Sequence, residues 1–495
     1  MNTLSISRIS SYDMLLLGTI SICSALAFFD FNTALATAFQ IVLIFKSILI
    51  TKSATKSSKE ILTCLFISPE PALFLFFGVI LTKWLLGRLN TPKSLATKYI
   101  YFIAMYSATL FIYNVASEKL ILNYIIWLCT FFSGLALFVY GRSIAPMVNI
   151  YSLLKFLGFF FILQIVFILF QATQIYIIKP GDWPQGTLAD AHKIGLIFLF
   201  ACTYLILSAV ARKNTGQFIA LIICVYLLYL TDAKSIILCF ILAIPFFVVM
   251  LAKLRIKTKT YFILNNPAAI LYLLLPIYSL AAYLILQSSS FELYEVYFLD
   301  DLLNSKYVFF TRVWIDILND SPISWLVGTG PGTLGSRASN ILSADVLYKE
   351  TTAFLSSSSE WTRMYMKGLW TEELALLISN YSAVLSYPFS GISSLKAELG
   401  FPGLIAYLLF ILHISLENLK STNFKSRDTI NSFKISLSLI LISYVFMLFF
   451  DNYNEQPAVS YILLFLTSIF MENHNSPNHK IGRLHHKIIK GPLSQ

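Results

Sequence analysis

Apolar stretches long enough to form membrane-spanning helices follow one another along almost the whole chain. A helix needs about 20 apolar residues to cross a hydrocarbon core of roughly 30 Å. Only 12% of the 495 residues are charged, whereas a soluble domain carries about 25%. The sequence therefore predicts an all-α polytopic integral membrane protein. The thirteen candidate spans lie near residues 14–29, 33–50, 61–87, 99–115, 120–140, 151–178, 194–211, 216–231, 235–252, 262–287, 399–416, 433–450 and 457–471.

One candidate span, 61–87, is too long for a single straight helix and contains a strong break. The tetrapeptide "SPEP" at 68–71 places two prolines around a glutamate, and each proline removes a backbone donor. The stretch is expected to form two short segments, so we predict 12–14 transmembrane helices. The span at 14–29 is not expected to be a cleaved signal peptide, because Asp30 and Asn32 follow it in place of small residues.

Charge divides the chain into a basic part and an acidic loop. Residues 288–398 contain twelve Asp or Glu and seven Lys or Arg, which gives this segment a net charge of −5. Because the whole chain has a net charge of +11, the remaining residues together carry +16. The basic residues concentrate in short connections, which the positive-inside rule places in the cytoplasm. This charge reports topology and gives no reason to expect nucleic-acid binding. The predicted regions are N-terminal transmembrane helices (1–287), a large external loop (288–398), C-terminal transmembrane helices (399–471) and a basic cytoplasmic tail (472–495).

The large loop is expected to be partly helical. "VFFTRVWIDIL" (308–318) predicts a helix that ends before Pro322. "TEELALLISNYSAV" (371–384) begins with a threonine N-cap and has two acids in its first turn. Loops of this length without structure are uncommon, and long loops are usually functional.

No metal and no cofactor are predicted. All six cysteines fall inside candidate spans, which gives neither a disulfide framework nor a zinc spacing, and their expected role is apolar packing. The loop carboxylates have no third ligand at a suitable spacing, so we expect them to be solvated or to lie at helix ends. These carboxylates are Asp300, Asp301, Glu360, Glu372 and Glu373.

A glycine-rich segment in the loop, "VGTGPGTLGSRASN" (327–340), contains a formal G-x-G-x-x-G. A dinucleotide fingerprint requires a preceding strand, a following helix and a βαβ unit, and none of these fits a loop between membrane spans. Glycines can instead allow close backbone approach and aim N–H groups at a phosphate, with Arg312 and Arg337 supplying charge. The alternative is a tight turn that connects two loop helices and binds nothing.

Two short external segments carry further candidate residues. "DWPQGTLADAHKIG" ends in His192 and Lys193 at a span entrance, and His192 is the only one of six histidines predicted outside. "YLTDAKSIIL" places Asp232 and Lys234 in a very short turn between spans, where ionisable residues are functional candidates. The alternatives are a solvated histidine, and a lysine that snorkels to the interface or pairs with Asp232.

Four segments of the chain resemble the O-antigen polymerase and O-antigen ligase superfamily (Wzy-like polysaccharide polymerases). "RVWIDILNDSPISWLVGTGPGTLG" (312–335) looks like the family's arginine and tryptophan followed by a hydrophobic-G-x-G-x-G turn. "LKAELGFPGLIAYLLF" (395–410) is similar to the E-x-G-x-x-G entry into the span after the loop. Weaker likenesses are "PQGTLADAHKIGLIFLF" (184–200) and "LTDAKSIILCF" (230–240).

The resemblance implies glycan chain transfer on the periplasmic face of a bacterial inner membrane, from a donor linked through diphosphate to undecaprenol. Such chemistry needs cations for the diphosphate and a base for the acceptor hydroxyl. Arg312 matches the family's arginine, and Lys234 lies where the family often has arginine. The implied catalytic residues are Arg312, Lys234, His192 and Glu398. The implied substrate-binding residues are Arg337, Gly328, Gly330, Gly332, Lys193 and Arg363.

One departure from the family pattern favours a polymerase over a ligase. Ligases of this superfamily have a histidine shortly before E-x-G-x-x-G, and "YPFSGISSLKAELG" has none. The base stays open between His192, Glu360 and Glu398. The alternatives are an O-antigen ligase acting on lipid A core and a polysaccharide flippase or transporter. The expected partners are the lipid-linked oligosaccharide, membrane lipids and a chain-length regulator.

Overall fold

The described part of the protein is built entirely from helices. A computed structural model describes residues 9–28, 33–67, 71–89, 93–115, 121–174, 186–188, 190–212, 215–231, 233–253, 279, 305–343, 357–369, 390–422 and 429–472. Every regular element in these ranges is an α-helix or a π or 3₁₀ turn. The fold class expected from the sequence is confirmed: the protein is an all-α polytopic membrane protein.

The helices are numbered in chain order, and π or 3₁₀ turns extend or precede several of them. They are α1 (Ser11–Phe28), α2 (Thr33–Phe45), α3 (Ala54–Leu65), α4 (Leu75–Leu85), α5 (Leu95–Leu110), α6 (Ile121–Ile144), α7 (Ile150–Gln174), α8 (Ala191–Arg212), α9 (Thr215–Leu230), α10 (Lys234–Lys253), α11 (Ser305–Thr311), α12 (Ile317–Asp320), α13 (Pro322–Val327), α14 (Arg337–Leu342), α15 (Glu360–Tyr365), α16 (Gly391–Lys420), α17 (Thr429–Met447) and α18 (Ile462–Glu472).

Twelve apolar helices coincide with twelve of the thirteen predicted stretches. Among the described residues, seven are long and apolar enough to cross a membrane: Thr33–Ile50, Leu95–Tyr113, Ile121–Met147, Ile150–Thr173, His192–Ala209, Gly391–Lys420 and Thr429–Met447. Five are shorter: Ser11–Ala25, Pro71–Leu85, Gly216–Leu230, Ser235–Leu251 and Pro457–Met471. The remaining stretch, 262–287, falls outside the described residues apart from position 279.

The predicted break in stretch 61–87 is present. α3 begins behind the N-cap Ser53 and ends at Leu65, and a 3₁₀ turn at Pro71–Phe74 leads into α4. With 12 residues, α3 is too short to cross a bilayer. The first half of the stretch therefore belongs to a short buried helix, and the second half forms one short apolar helix.

Ion pairs of two buried side chains of α3, Lys59 and Glu60, hold this helix against its neighbours. Lys59 Nζ lies 2.6 Å from Asp13 Oδ1 of α1, and Lys46 Nζ lies 2.7 Å from Glu60 Oε1. The other oxygen of Glu60 accepts a hydrogen bond of 2.7 Å from Thr51. Because a buried charge is costly unless it is paired, these contacts let a polar helix lie inside an apolar bundle.

The C-terminal helices form the centre of the bundle. α16 packs against α5 and α17, α17 packs against α8 and α10, and α6 packs against α4 and α18. A glycine of α6 allows this helix to approach α18 closely, as small residues do between membrane helices. A Cβ atom at Gly141 of α6 would lie 1.9 Å from Oγ of Ser468 and 3.1 Å from its Cβ.

The loop helix predicted at 308–318 is confirmed as part of a longer helical run. α11, a π turn at Arg312–Asp316 and α12 follow one another without interruption. The run ends at Ser321, and Pro322 occupies the first turn of α13, the helix position that proline tolerates best. The helix expected at 371–384 lies outside the described residues.

α16 begins inside the region predicted as loop and bends where the apolar span begins. It starts at Gly391, and its backbone leaves helical geometry at Gly400, where φ is 61° and ψ is −166°. Residues 391–399 therefore form a short helix of their own in front of the span. The predicted boundary at Glu398 falls within one turn of this bend.

Substitution of Gly141 by valine tests the close contact between α6 and α18. Gly141→Val is expected to destabilise the protein by about 1–3 kcal/mol, because the added atoms overlap Ser468. Gly158→Val is the matched control, since no heavy atom lies within 4 Å of that Cβ position. The measurement is the thermal unfolding midpoint in detergent, and equal midpoints for the two variants would contradict the contact.

Candidate functional site

Two glycines, 72 positions apart in the chain, bring the glycine turn and the bend of α16 into direct contact. A Cβ atom at Gly328 would lie 2.4 Å from the carbonyl oxygen of Glu398, and one at Gly400 would lie 2.3 Å from that of Leu326. Both glycines have positive φ, 101° and 61°, which disfavours any larger residue. Close backbone approach, one of the uses expected for these glycines, is therefore present.

The N–H groups of the glycine turn bind the chain itself. Thr329 N donates to Ala397 O at 2.7 Å and Gly330 N donates to Glu398 O at 3.1 Å. Leu334 N and Ser336 N both donate to Glu398 Oε1, at 3.0 and 3.3 Å. The turn therefore encloses the side-chain carboxyl group of Glu398, and binding of a phosphate by these N–H groups stays a prediction.

Glu398 is 1% exposed. Glu398 was one candidate for the base, and this role stays a prediction. Its contacts make it a residue that fixes the turn to α16. Gly332 is held from the other side, where Asn123 Nδ2 of α6 donates to its carbonyl oxygen at 3.0 Å.

Glu455 is a second buried acid at the turn, and the sequence analysis did not identify it. Its Oε2 accepts the backbone N–H of Arg337, and its carbonyl oxygen lies 3.5 Å from Arg337 Nη1. The guanidinium also lies over Phe74, 5.0 Å from the ring centre. Burial raises the pKa of Glu455 to about 7, against the opposing effects of the Arg337 N–H and charge. The sequence contains a signal that could have identified Glu455, because it is an acid in a short connection between apolar spans.

Arg312, the predicted diphosphate ligand, lies in the π turn and holds another part of the loop. Its Nη1 donates to the carbonyl oxygens of Tyr365 and Lys367, at 3.0 and 3.2 Å. A π turn within an α-helix is often found at functional positions. The structure shows Arg312 connecting the π turn to the end of α15, and its role toward diphosphate stays a prediction.

α15 packs on the glycine turn. The hydroxyls of Ser359 and Thr362 both donate to the carbonyl oxygen of Thr333. Arg363 is exposed, and its Nε donates to Ser358 Oγ at 2.9 Å. Glu360 is exposed at the start of the helix. The predicted residue Arg363 therefore lies on the outer side of a helix that covers the turn.

His192 and Lys193 lie in the first turn of α8, which Asp190 caps. Asp190 Oδ1 accepts the N–H groups of His192 and Lys193, at 2.9 and 3.1 Å. Lys193 Nζ also lies 3.5 Å from Asp190 Oδ2. His192 Nδ1 is buried, and no described residue forms a hydrogen bond with it.

The two short segments with weaker family likeness also meet. A Cβ atom at Gly195 of α8 would lie 2.3 Å from Cβ of Ala233, directly before Lys234 at the start of α10. The side chain of Lys234 lies outside the described part of the structure. The contact between Gly195 and Ala233 thus brings the first turns of α8 close to the start of α10.

Tyr453 connects this group to the acids beside the glycine turn. Burial raises the pKa of the Tyr453 hydroxyl, and the carboxylates of Asp451 and Asp190 raise it further. Tyr453 and Glu455 share one 3₁₀ turn, so Asp190 lies at the same end of the bundle as Glu455. The start of α8 is thus near the 3₁₀ turn that contains Glu455, and the described residues include no group of three His, Cys, Asp or Glu that could hold a metal.

Gly400→Ala tests the contact between the turn and the bend. We expect it to lower the thermal midpoint more than Gly368→Ala does, because both positions have positive φ but only position 400 meets backbone atoms. At position 400 the ψ of −166° itself costs alanine about 1–3 kcal/mol, so an excess loss beyond that range reports the contact. The measurement is thermal unfolding in detergent. Equal losses would mean that the two backbones do not approach as described.

Glu455→Gln tests the buried acid by its pH dependence. Because the pKa is raised from 4.5 to about 7, the stability linked to this carboxyl is present at acidic pH and lost as pH rises through about 7. The wild-type midpoint should fall more between pH 5 and 7 than that of Glu455→Gln, which cannot ionise, because the folded and unfolded carboxyl differ in protonation only between the two pKa values. Glu360→Gln, at an exposed position, should keep the wild-type slope. Identical slopes in all three proteins would show that Glu455 is not a buried, titrating group.

Comparisons with family models, with curated proteins and with solved structures give no match for this chain. A family assignment therefore depends on the resembling segments and on the contacts that join them. These observations support a function only as a proposal.

Proposed function

We propose that the protein polymerises undecaprenyl-diphosphate-linked oligosaccharide repeat units into O-antigen or another surface polysaccharide. The observation that carries the proposal is the contact between the two segments that most resemble the superfamily, 312–335 and 395–410. They meet through Gly328, Gly400 and the hydrogen bonds to Glu398. Sequence likeness in two distant segments gains weight when the fold brings them together.

The reaction we propose is a glycosyl transfer. A hydroxyl oxygen of the acceptor sugar forms a bond to the anomeric carbon of the donor, and the bond from that carbon to the diphosphate oxygen breaks. Undecaprenyl diphosphate leaves with the electron pair, and the hydroxyl proton passes to a base. Cationic groups that stabilise the leaving diphosphate supply much of the rate in such reactions.

The described residues offer these groups at one end of the bundle. Arg312 and Arg337 border the glycine turn, and Lys193 begins α8. His192 is the candidate base in this proposal, because no described residue occupies its Nδ1 and a base must be able to accept a proton. In this proposal Glu398 and Glu455 shape the site from within and do not touch the sugar.

An apolar crevice is compatible with a lipid-linked donor. Its cavity volume is about 50 Å³, which is room for only a small part of a lipid chain, and its walls come from the end of α3 and from α7, α8, α17 and α18. Leu196 and Ile197 of its wall follow His192 and Lys193 by one helical turn. The other wall residues are also exclusively apolar: Phe66, Leu157, Phe160, Phe161, Phe200, Phe433, Leu437, Ile440, Ala458, Val459, Ile462, Leu463 and Leu466.

The proposal includes location and partners. The protein would lie in a bacterial inner membrane with its large loop in the periplasm and its C-terminus in the cytoplasm. Its partners would be the lipid-linked oligosaccharide, membrane lipids and a chain-length regulator. A ligase acting on lipid A core is the related alternative, and the absence of a histidine before "ELG" argues against it.

A transporter is the alternative from a different class, and one residue favours it. Lys434 lies in the apolar helix α17 and is fully buried, and ionisable residues inside membrane spans are typical of transport pathways. Its Nζ, however, donates to Ser421 Oγ at 2.7 Å, next to the end of α16. This satisfied contact also fits a purely structural role.

Reconstitution tests the proposed chemistry directly. Purified protein in liposomes with lipid-linked repeat units, and without any ion gradient, should yield products several repeats long. Arg312→Gln should reduce the rate by at least about a hundredfold, because it keeps amide donors for the carbonyls of Tyr365 and Lys367 but removes the charge. Arg88→Ala, at the exposed far end of α4, is the control. Wild-type rates for Arg312→Gln would remove this arginine from the site, and no product from the wild type would contradict the proposed function.

A further inference from the structure

Helices α11 to α13 and the π turn between them carry an exposed apolar face. Ile323 is the most exposed residue of this face, at 71%. Soluble proteins seldom expose several large apolar side chains next to one another. The face consists of Tyr307, Phe310, Ile315, Leu318, Ile323 and Leu326.

The opposite side of the same segment is fixed to the start of α16. Lys396 is 1% exposed, and its Nζ donates to Val313 O at 2.7 Å. A π turn leaves a carbonyl without its usual helical partner, and here the lysine satisfies one. The Lys396 ammonium lies 4.6 Å from the ring centre of Trp325 and 5.5 Å from that of Trp314. The orientation of the apolar face is therefore determined by a buried, specific contact.

The apolar face is continuous with the outer surfaces of two membrane spans. On α16, Trp314 and Trp325 pack against Phe401 with ring centres 5.9 and 4.7 Å apart. One turn further along α16, Ile405 is exposed. The segment is thus joined to a span at the point where lipid-facing residues begin.

The second junction is on α5. Tyr106 Oη donates to Val327 O at 2.8 Å, at the end of α13. Tyr106 stacks on Phe102, and Phe102 and Met105 are both exposed on the outside of this span. The outer surfaces of α5 and α16 therefore continue the apolar face of residues 305–327. The simplest explanation is that one apolar environment surrounds all three.

We propose that the lipid bilayer covers this face, so that residues 305–327 lie in the membrane interface beside α5 and α16. Trp314 and Trp325 would then occupy the level at which tryptophan is enriched in membrane proteins. The glycine turn starts directly after this segment, so the bilayer surface would set the depth of the candidate site. This inference does not depend on the proposed polymerase activity.

Spin labelling of the full-length protein in lipid nanodiscs tests the proposal. Nitroxides are attached to Ile323→Cys, Leu326→Cys and the charged, exposed control position Glu360→Cys. The wild-type protein, treated with the same label, gives the background signal from the native cysteines. This signal should be small, because five of the six cysteines are buried and Cys129 is half-buried. The measured quantity is the collision rate with oxygen and with a water-soluble nickel chelate.

The two apolar positions should show an oxygen-to-nickel ratio about tenfold above that of position 360, because a polar chelate is excluded from hydrocarbon. A ratio equal to that of position 360 would place the face in water and overturn the proposal. Low collision rates with both reagents would place it under protein, either a second copy or another chain, and would also overturn it. Leu326→Cys serves as a second probe of the same face, so that a local disturbance caused by the label at position 323 would not decide the result.

Discussion

The contact between Gly328 and Gly400 is the constraint on which the described part of the loop depends. It allows the backbone of residues 329–336 to reach the start of α16 and to place two N–H groups on Glu398. Asn123, Ser394 and Thr362 then fasten the same turn to α6, α16 and α15. Without this approach, the turn would expose unsatisfied N–H groups, and a buried carboxylate would lose its donors, which costs about 1–3 kcal/mol or more for each such group.

Two buried acids, Glu398 and Glu455, bind different parts of the candidate site. Glu398 binds the N–H groups of the turn, while Glu455 binds Arg337 at its backbone and reaches its guanidinium through a carbonyl oxygen. The guanidinium groups of Arg312 and Arg337, which are predicted to bind diphosphate, both contact backbone carbonyl oxygens. Such fixation is what electrostatic catalysis requires, because preorganised charges need no rearrangement during the reaction.

The sequence predicted the helical spans and the break at 68–71 well, because apolar length and proline act locally. It also predicted the helix at 308–318 and the close approach of the glycines as one of two uses of the turn. It did not predict that Glu398 would occupy the turn, nor that Glu455 would face Arg337 from 118 positions away. Those contacts are set by how α16 and α17 pack, and side-chain spacing along the chain contains no information about them. The carbonyl partners of Arg312 were missed for the same reason.

The most direct measurement of the central claim is the surface glycolipid made by a strain from which the gene is deleted. Single repeat units attached to lipid A would show that transport and ligation continue while polymerisation has stopped, which is the result expected here. Full-length polymer left on undecaprenyl diphosphate would identify a ligase, and the absence of repeat units from the outer face would identify a flippase. Either of these last two results would contradict the account.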